Sequence, residues 1–352
     1  MADGLLIYGA YGYTGQLIVN EALKAGLQPV LAGRSAEKLH SYAAAQGLEG
    51  RVFGLESAEE VDAGLAGMQT VIHCAGPFNQ TAEAMARGCI RNGVHYLDIT
   101  GEIGVFEALA TMDEAAKAAG VMIMPGTGFD VVPSDCLALH LKEKLPSAKS
   151  LTLAFHSGGG MSHGTAATIV EDICEDGQIR KEGVITAVPG AWQVRDFDFG
   201  TEEHTCMSIP WGDVSTAFYS TGIPNIVVFM SASPGLRQFV KWSRFFRPLL
   251  SNPTVIGFIK SKIPEGGPDK AMRERSTCLL WGEVRDDAGQ VVRALLKTPE
   301  GYTLTAKTAF HIAQRCLAGD APPGFQTPSM AYESDLVLKI AGVEGFTAVD
   351  AT

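Results

Sequence analysis

The first apolar segment of the chain runs directly into a glycine-rich turn, and this junction constrains the fold more than any other feature. Residues 5–8 read as a buried strand, Gly9, Gly12 and Gly15 follow with Gly-x-x-Gly-x-x-Gly spacing, and residues 16–24 read as an amphipathic helix. This order is typical of a βαβ unit that binds a dinucleotide, because the helix N-terminus offers N–H groups and a positive dipole end to a pyrophosphate. The residues that we expect at the cofactor are Gly9, Ala10, Gly12, Tyr13, Thr14 and Gly15.

The residues after the second predicted strand indicate which dinucleotide binds. That strand spans residues 28–32, and Arg34 and Ser35 follow it where NAD-binding units carry an acidic residue, about 20 positions after the glycines. A guanidinium at this position pairs bidentately with the 2′-phosphate that distinguishes NADP(H) from NAD(H). An arginine that only opens the next helix would be solvated instead. We predict NADP(H) as the cofactor, with Arg34 and Ser35 at its adenosine end.

The size and charge of the chain limit the classes of function open to it. At 352 residues it exceeds what one hydrophobic core usually supports, so we expect two domains. The formal net charge of -11 argues against nucleic-acid binding, which needs a basic face. The seven cysteines are scattered and form no C-x-x-C pair, a pattern typical of reduced thiols in a cytoplasmic protein. We expect no metal site and no membrane-spanning segment.

Strand-like and helix-like segments alternate through the first third of the chain. Predicted strands are 5–8, 28–32, 51–53, 70–74, 94–99 and 121–124, and predicted helices include 16–24, 80–91 and 103–119. Such alternation indicates a parallel sheet with right-handed crossovers. Ligands of these sheets bind beyond the carboxyl ends of the strands, so the loops after the strands are the candidate site.

Beyond Pro133 several strand-like runs follow one another. Predicted strands are 151–155, 184–188, 215–220, 225–230, 277–284 and 290–297, the last two forming a hairpin, and predicted helices are 134–144 and 165–174. We therefore predict an α/β protein with a Rossmann-type doubly wound parallel sheet over 1–128. An α+β substrate and dimerisation domain on a mostly antiparallel sheet follows over 129–325, and a tail over 326–352 returns to the first domain.

The whole chain resembles the saccharopine dehydrogenase-like oxidoreductases, a group that includes saccharopine reductases and trans-acting enoyl reductases of lipid chains. The segments that carry the resemblance are 9–15 (GAYGYTG), 32–35 (AGRS), 74–78 (CAGPF), 96–102 (YLDITGE), 128–135 (GFDVVPSD), 212–222 (GDVSTAFYSTG) and 327–335 (TPSMAYESD). The resemblance implies an NADP-binding domain followed by an α+β domain, with the reaction in the cleft between them. It implies hydride transfer to or from an imine, ketone or enoyl group of a small or lipid-linked substrate, and we expect a homodimer.

The loops after two neighbouring strands carry the remaining candidates for the cofactor and the proton. Small residues lie at the end of, or directly after, the predicted strands 70–74 and 94–99, where they allow the backbone to pass close to a nicotinamide ribose. These residues are Cys74, Ala75, Gly76, Pro77, Thr100 and Gly101. Hydride transfer also needs a proton donor or acceptor, and a buried carboxyl can be tuned for that work. Asp130 and Glu102 are the candidates, although both also suit helix capping.

A second glycine-rich turn lies in the predicted α+β domain, between a strand and a helix start. Its N–H groups would suit an anion or a carbonyl, with His156 as a further catalytic candidate and Ser162, His163 and Thr165 as substrate contacts. The alternative is a flexible connector with surface histidines.

Two other functions stay open. Residues 160–164 read G-x-S-x-G, the pattern of a serine hydrolase elbow, with Ser162 as nucleophile and His204 or His311 as base. The N-terminal nucleotide unit would then have no role. The chain could also be a non-catalytic NADP-binding sensor or scaffold, because a fold does not fix a function.

A basic and aromatic stretch over 236–262 suggests a surface contact. On a helix, Arg237, Lys241 and Arg244 form one stripe, and Phe239, Trp242 and Phe246 form another. A basic face beside an aromatic face is typical of helices that lie on anionic lipid. The same pattern also suits a domain core or a dimer interface. We expect a cytoplasmic protein that either stays in solution or binds peripherally to lipid surfaces.

Overall fold

The computed structural model of the protein describes residues 4–160, 162, 164, 166, 176–243, 253–260, 262 and 266–349. The chain divides into two compact units, each with its own sheet. Unit 1 comprises Met1–Val132 and Tyr302–Ile340, and unit 2 comprises Pro133–Gly301 and Ala341–Thr352.

Strands and helices alternate through most of unit 1, whereas strands predominate in unit 2. The strands are β1 (Leu5–Tyr8), β2 (Val30–Gly33), β3 (Gly50–Val52), β4 (Thr70–His73), β5 (His95–Asp98), β6 (Met122–Met124), β7 (Ser150–Ser157), β8 (Gly177–Lys181), β9 (Val184–Val188), β10 (Val194–Asp198), β11 (Glu203–Ile209), β12 (Asn225–Ser231), β13 (Thr277–Arg285), β14 (Val291–Pro299), β15 (Gly324–Phe325) and β16 (Thr347–Val349). The helices are α1 (Tyr13–Lys24), α2 (Ala36–Gln46), α3 (Ala58–Leu65), α4 (Phe78–Asn92), α5 (Ile103–Ala110), α6 (Asp113–Ala119), α7 (Val132–Lys144), α8 (Asp213–Thr221), α9 (Pro234–Ser243), α10 (Pro253–Lys260), α11 (Lys270–Arg275), α12 (Gly301–Leu317), α13 (Pro328–Tyr332) and a 3₁₀ turn at Leu336–Lys339. Within the described ranges, no helix combines the length and the apolar character needed to cross a membrane.

The sheet of unit 1 confirms the predicted doubly wound architecture. Its seven described strands are parallel in the order β15-β6-β5-β4-β1-β2-β3. All four residues of each of β1, β2 and β4 are buried, as expected where helices cover both faces of a parallel sheet. The predicted strands agree with the structure to within two residues at each end, because buried apolar runs bounded by glycines and loops mark them clearly.

One long helix predicted from the sequence is two helices. The segment 103–119 breaks at Thr111, which ends α5, and its hydroxyl donates to the Ala108 carbonyl at 2.6 Å. The Thr111 side chain thus competes for a backbone carbonyl at the helix end, and the next helix, α6, starts at Asp113. The hydrophobic period continues across the break, so periodicity alone does not reveal it.

The sheet of unit 2 is mixed and mostly antiparallel, as predicted. Its nine described strands include the path β10-β11-β12-β7-β13-β14-β16, while β8 pairs with β12 and β9 pairs with β8. The pairs β13–β14 and β7–β13 are antiparallel, whereas β12 and β7 pair in parallel. The predicted hairpin is confirmed, and Asp286 N–H donates to the Gln290 carbonyl at 3.2 Å where β13 turns into β14.

The strand predicted at 215–220 is wrong, because these residues lie in helix α8. Serine, threonine and aromatic residues gave the segment a strand-like composition. The buried positions Val214, Ala217 and Thr221 instead follow the helical spacing, and Gly222 ends the helix with a φ of 66°. Apart from residue 166, the helix predicted at 165–174 lies outside the described residues.

Helix α12 belongs to unit 1 and holds the loop that follows β6. Thr305 Oγ1 accepts from the Phe129 N–H at 2.9 Å, and Thr308 Oγ1 donates to the Thr127 carbonyl at 2.7 Å. The chain thus returns to unit 1 at Tyr302, whereas the sequence patterns suggested a second domain as far as residue 325. The last strand, β16, pairs with β14 of unit 2.

Burial of His73 at the end of β4 predicts acid sensitivity. The ring lies among Tyr8, Phe78 and Tyr96, and its Nε2 is 3.0 Å from Thr81 Oγ1. Burial lowers the pKa of His73 from 6.5 to about 3, so the folded protein keeps the ring neutral while the unfolded chain protonates it. Stability is therefore lost as the pH falls from 6.5 toward about 3. We expect the melting temperature of His73→Gln to fall less than that of the wild type as the pH is lowered through this window.

The control for this measurement is His40→Gln, whose side chain is exposed on α2. Thermal melts of the three proteins across the same pH series separate the slope from any constant loss of stability. Parallel curves for His73→Gln and the wild type would contradict the assignment.

Candidate cofactor and active site

The turn at the end of β1 is a close-packed backbone structure. Gly9 has a φ of 79°, and its N–H and that of Ala10 donate to the Ala32 carbonyl at 2.8 and 3.3 Å. The Gly12 N–H closes the turn on the Gly9 carbonyl at 2.9 Å. A Cβ on Gly15 would overlap the Gly9 carbonyl oxygen and lie 2.9 Å from the Ala10 Cα. Only glycine fits at this point, so α1 packs directly on the turn.

The N-terminus of α1 fits a pyrophosphate. Gly12 precedes the helix, no side chain of the described residues caps it, and its first turn carries no acidic residue. The first helical hydrogen bond runs from the Gln16 N–H to the Gly12 carbonyl at 2.9 Å, so the N–H groups of Tyr13, Thr14 and Gly15 precede the internal ladder. These donors and the positive end of the helix dipole are the cradle that a dinucleotide needs.

The end of β2 carries Arg34 and a tyrosine that sequence reasoning missed. Arg34 is exposed, and Ser35 caps α2 by accepting the Lys38 N–H at 3.5 Å. The ring of Tyr11 lies over Gly33, where a Cβ would come within 2.6 Å of Tyr11 Cε1. The Tyr11 hydroxyl accepts the Ser35 N–H at 3.3 Å and so connects the glycine turn to this loop. Its only sequence signal is an aromatic residue between two glycines of the motif.

The loop after β4 lies against the glycine turn. The Cys74 N–H donates to the Tyr8 carbonyl at 2.8 Å, and a Cβ on Gly9 would lie 3.0 Å from the Ala75 nitrogen. Thr81 Oγ1 holds the carbonyls of Ala75 and Pro77 at 2.8 and 3.1 Å. Burial raises the pKa of the Cys74 thiol, so the residue stays protonated and suits close packing rather than nucleophilic attack. Gly76 and Pro77 are joined by a cis peptide bond.

Glu102 is engaged with the N-terminus of α4. Its Oε1 accepts the Phe78 N–H at 3.0 Å and its Oε2 accepts the Asn79 N–H at 2.9 Å. Thr100 Oγ1 in turn accepts the Glu102 N–H at 3.1 Å. Burial raises the pKa of Glu102, and the two N–H donors act against that rise. Both carboxylate oxygens of Glu102 thus cap α4, because Pro77 at its N-terminus makes no side-chain capping hydrogen bond.

Asp98 connects the loops after β5 and β6. Its Oδ1 accepts the N–H groups of Thr100 and Gly126 at 3.0 and 2.9 Å, and its Oδ2 accepts the Tyr96 hydroxyl at 2.7 Å. Burial raises the pKa of Asp98 to about 6, against the effect of these three donors. The Asp98 carbonyl also accepts the Thr127 N–H at 2.8 Å, so the two loops are fixed to each other.

Asp130 is the candidate that stands apart from the other acids. A Cβ on Gly101 would lie only 2.5 Å from Asp130 Oδ2, so the carboxyl group packs directly on that glycine. Its Oδ1 is buried and has no hydrogen-bond partner among the described residues. Burial raises the pKa of Asp130 to about 8, so the group carries a proton at neutral pH. A protonated carboxyl at the end of β6 is able to act as a general acid.

The candidates of unit 2 form a separate group. His156 on β7 has its Nδ1 2.8 Å from Ser231 Oγ, and its ring stacks on His204 at 3.8 Å. Burial lowers the pKa of His156; His204 lowers it further and Glu202 acts against this. Ser162 is buried. The predicted substrate contacts His163 and Thr165 lie outside the described residues.

Comparison with known proteins identifies the N-terminal part of the chain. Residues 5–124 match the family model described as the saccharopine dehydrogenase NADP binding domain. The human saccharopine dehydrogenase-like oxidoreductase is 28% identical over 177 residues, covering 44% of this chain and 41% of its own length. A lipid droplet localized protein of Caenorhabditis elegans is 29% identical over 153 residues, covering 40% of this chain and 36% of its own. The matched part thus spans only about two fifths of these relatives.

The fold of the whole chain is also known from solved structures. Saccharopine dehydrogenase (L-Glu forming) of Saccharomyces cerevisiae matches with a TM-score of 0.67 at 12% identity, over 98% of this chain and 99% of its own. The likeness at this level of identity concerns the fold. Residues 5–124 of the chain are thus similar to a saccharopine dehydrogenase NADP binding domain, and the whole chain shares the fold of a solved saccharopine dehydrogenase.

Proposed function

We propose that the chain is an NADP(H)-dependent oxidoreductase that transfers hydride to or from an imine, a ketone or an enoyl group. One observation carries the proposal: a dinucleotide cradle and a buried, protonated carboxyl group lie at the same edge of one sheet. The glycine turn follows β1 and Asp130 follows β6, and the carboxyl ends of parallel strands meet at one edge.

A continuous set of contacts connects the two parts of this edge. Gly9 packs against the loop of Ala75, Glu102 caps the helix that follows that loop, and Gly101 packs against Asp130. The NADP(H) nicotinamide supplies or accepts the hydride when it is bound. We assign the pyrophosphate to the N–H groups of Tyr13 to Gly15 and the 2′-phosphate to Arg34. The loops 74–77 and 100–101 border the ribose and nicotinamide.

Asp130 is our choice for the proton-transferring residue. A pKa of about 8 keeps its proton available at neutral pH, and its Oδ1 has no acceptor or donor among the residues that the structure describes. Such a group donates a proton to the substrate nitrogen, oxygen or carbon as hydride arrives, and accepts one in the reverse direction. Glu102 is less suited because both of its oxygens accept backbone N–H groups. His156 stays a second candidate.

Two alternatives make different demands. An NADP-binding sensor would bind the cofactor and never oxidise or reduce it. A hydrolase using Ser162 would leave the glycine turn without a role, and the proposed base His204 already faces Glu202 at 3.1 Å. The dinucleotide cradle therefore favours an oxidoreductase over a hydrolase, and a turnover assay separates the enzyme from the sensor.

We further propose that α9 contacts lipid or a hydrophobic substrate surface. Phe239 and Trp242 lie three residues apart on one helix face and are 47% and 54% exposed. The lipid droplet location named for the nematode relative supports the idea. Arg244 and Phe246 lie outside the described residues. The homodimer and the cytoplasmic location stay predictions from the sequence.

The cofactor assignment is testable at Arg34. Arg34→Ala should weaken NADPH binding by about 10- to 100-fold, because a charged hydrogen-bonded pair with the 2′-phosphate is lost. The binding of NADH, which lacks this phosphate, should stay within about twofold of the wild type. Titration of each protein with both nucleotides, followed by nicotinamide fluorescence, measures the four dissociation constants.

The matched control is Arg87→Ala, which removes the same charge from an exposed arginine of α4 that pairs with Glu83 at 2.8 Å. Its affinity for NADPH should equal that of the wild type. An equal loss in both variants would mean that net charge, not a phosphate contact, sets the affinity.

The proton on Asp130 is testable through the pH dependence of stability. Its pKa is raised from 3.8 to about 8 in the folded protein, so stability is present at acid pH and is lost as the pH rises through this range. Asp130→Asn removes this loss. As the pH rises from about 5 to about 9, the melting temperature of the variant relative to that of the wild type should therefore increase by several degrees.

Asp113→Asn is the control with the opposite sign. Although burial raises the pKa of Asp113, its hydrogen bond from Lys117 holds the pKa below the usual value. The wild type should therefore be more stable than Asp113→Asn at neutral pH, and this difference in melting temperature should disappear in acid. If Asp130→Asn behaved like Asp113→Asn, the carboxyl group of Asp130 would be ionised and the general-acid role would fail.

The lipid contact of α9 is testable by vesicle flotation. The double variant Phe239→Ser/Trp242→Ser should float less well with anionic phospholipid vesicles than the wild type, because it loses two exposed aromatic rings. Met272→Ser, which changes an exposed apolar residue on α11, should float like the wild type. Unchanged flotation of the double variant would remove the lipid proposal and leave the oxidoreductase proposal intact.

A further inference from the structure

Three metal-ligating side chains meet in unit 2. His156 lies near the end of β7, His204 lies near the start of β11, and Glu202 stands in the turn just before β11. Glu202 Oε1 is 3.1 Å from His204 Nε2 and 4.0 Å from His156 Nε2. One ligand atom from each residue lies within 4.8 Å of the other two. The sheet register creates this group, because a long stretch of chain separates the two histidines.

The ring nitrogens of this group are oriented toward the carboxylate. The two imidazole rings stack with centroids 3.8 Å apart and planes 11° apart, and the Nε2 atoms of both lie near Glu202 Oε1. His156 Nδ1 is 2.8 Å from Ser231 Oγ, so its Nε2 is the nitrogen that faces Glu202. His204 Nε2 is buried, and the ligand atom that it faces is Glu202 Oε1 at 3.1 Å.

We propose that His156, Glu202 and His204 bind one divalent transition-metal ion of the Zn²⁺ type. Two ligands of a tetrahedral ion at about 2.0–2.1 Å lie about 3.4 Å from each other, and the two observed separations bracket this value. The Glu202 side chain is 54% exposed, so it is able to turn and close the longer separation. Two imidazoles select Zn²⁺, Co²⁺ or Ni²⁺ over Mg²⁺ and Ca²⁺, which prefer oxygen ligands.

The surroundings match those of metal sites in other proteins. Ser231 Oγ fixes the ring orientation of His156, as outer-shell partners of ligating histidines do. The Phe199 ring lies 6.4 and 5.9 Å from the rings of His156 and His204, and it belongs to a buried apolar cluster. Both histidines lie on strands against an apolar base, and the His204 ring has to turn out of the parallel stack for both Nε2 lone pairs to meet at one ion. The exposed side of Glu202 leaves a coordination position open to water or to a ligand.

The test is a metal titration of the full chain. Tag-free protein is stripped with a chelator, then titrated with Zn²⁺ by calorimetry and with Co²⁺ by its visible absorption. We expect about one ion per chain, and we expect Glu202→Gln and His204→Gln to weaken binding by at least about tenfold. Zn²⁺ should raise the melting temperature of the wild type and not that of the two variants.

His140→Gln is the matched control, because His140 is a half-buried histidine of the same unit that stacks on Phe346 at 4.2 Å. This variant should bind Zn²⁺ like the wild type. Melting temperatures without metal confirm that each variant is folded, and the exposed Glu202→Gln variant disturbs the fold least. Binding of less than about half an ion per chain by the wild type would overturn the proposal. Unchanged binding by Glu202→Gln and His204→Gln, or a preference for Mg²⁺ or Ca²⁺, would overturn it as well.

Discussion

The close approach of three backbone segments at the end of β1 is the constraint on which the rest of the cofactor edge depends. Gly9 packs against the loop after β4, and Gly15 packs against the carbonyl of Gly9. A side chain at either position would push α1 or the neighbouring loop outward, and the N–H groups of the first helical turn would move with it. The absence of two Cβ atoms therefore sets where an anion is able to bind.

The acids beyond the glycine turn differ mainly in how many donors each one meets. Asp98 accepts three hydrogen bonds and connects two loops, and Glu102 accepts two and caps a helix. Asp130 is buried on Gly101, and its Oδ1 has no partner within the described part of the chain. Burial without donors keeps a carboxyl group protonated, whereas donors favour its ionised form. This difference, rather than position alone, separates the proposed acid from its neighbours.

The sequence predicts local structure well and distant contacts poorly. The glycine turn, the parallel strands and the β13–β14 hairpin all rest on short-range patterns, and the structure confirms them. Helix α8 was mistaken for a strand because its serines and threonines outweighed the helical spacing of Val214 and Ala217. The support of the β6 loop by Thr305 of α12 joins residues 176 apart, and no local pattern reports it. The His156–Glu202–His204 group likewise exists only once the strands are paired.

We propose that NADP(H) lies along the edge from Arg34 to Asp130. A crystal structure of the full chain with NADPH tests it most directly. We expect the 2′-phosphate within hydrogen-bond distance of Arg34, the pyrophosphate at the N-terminus of α1, and the nicotinamide beside Gly101 and Asp130. A 2′-phosphate held by other residues, or a nicotinamide directed away from Asp130, would contradict it.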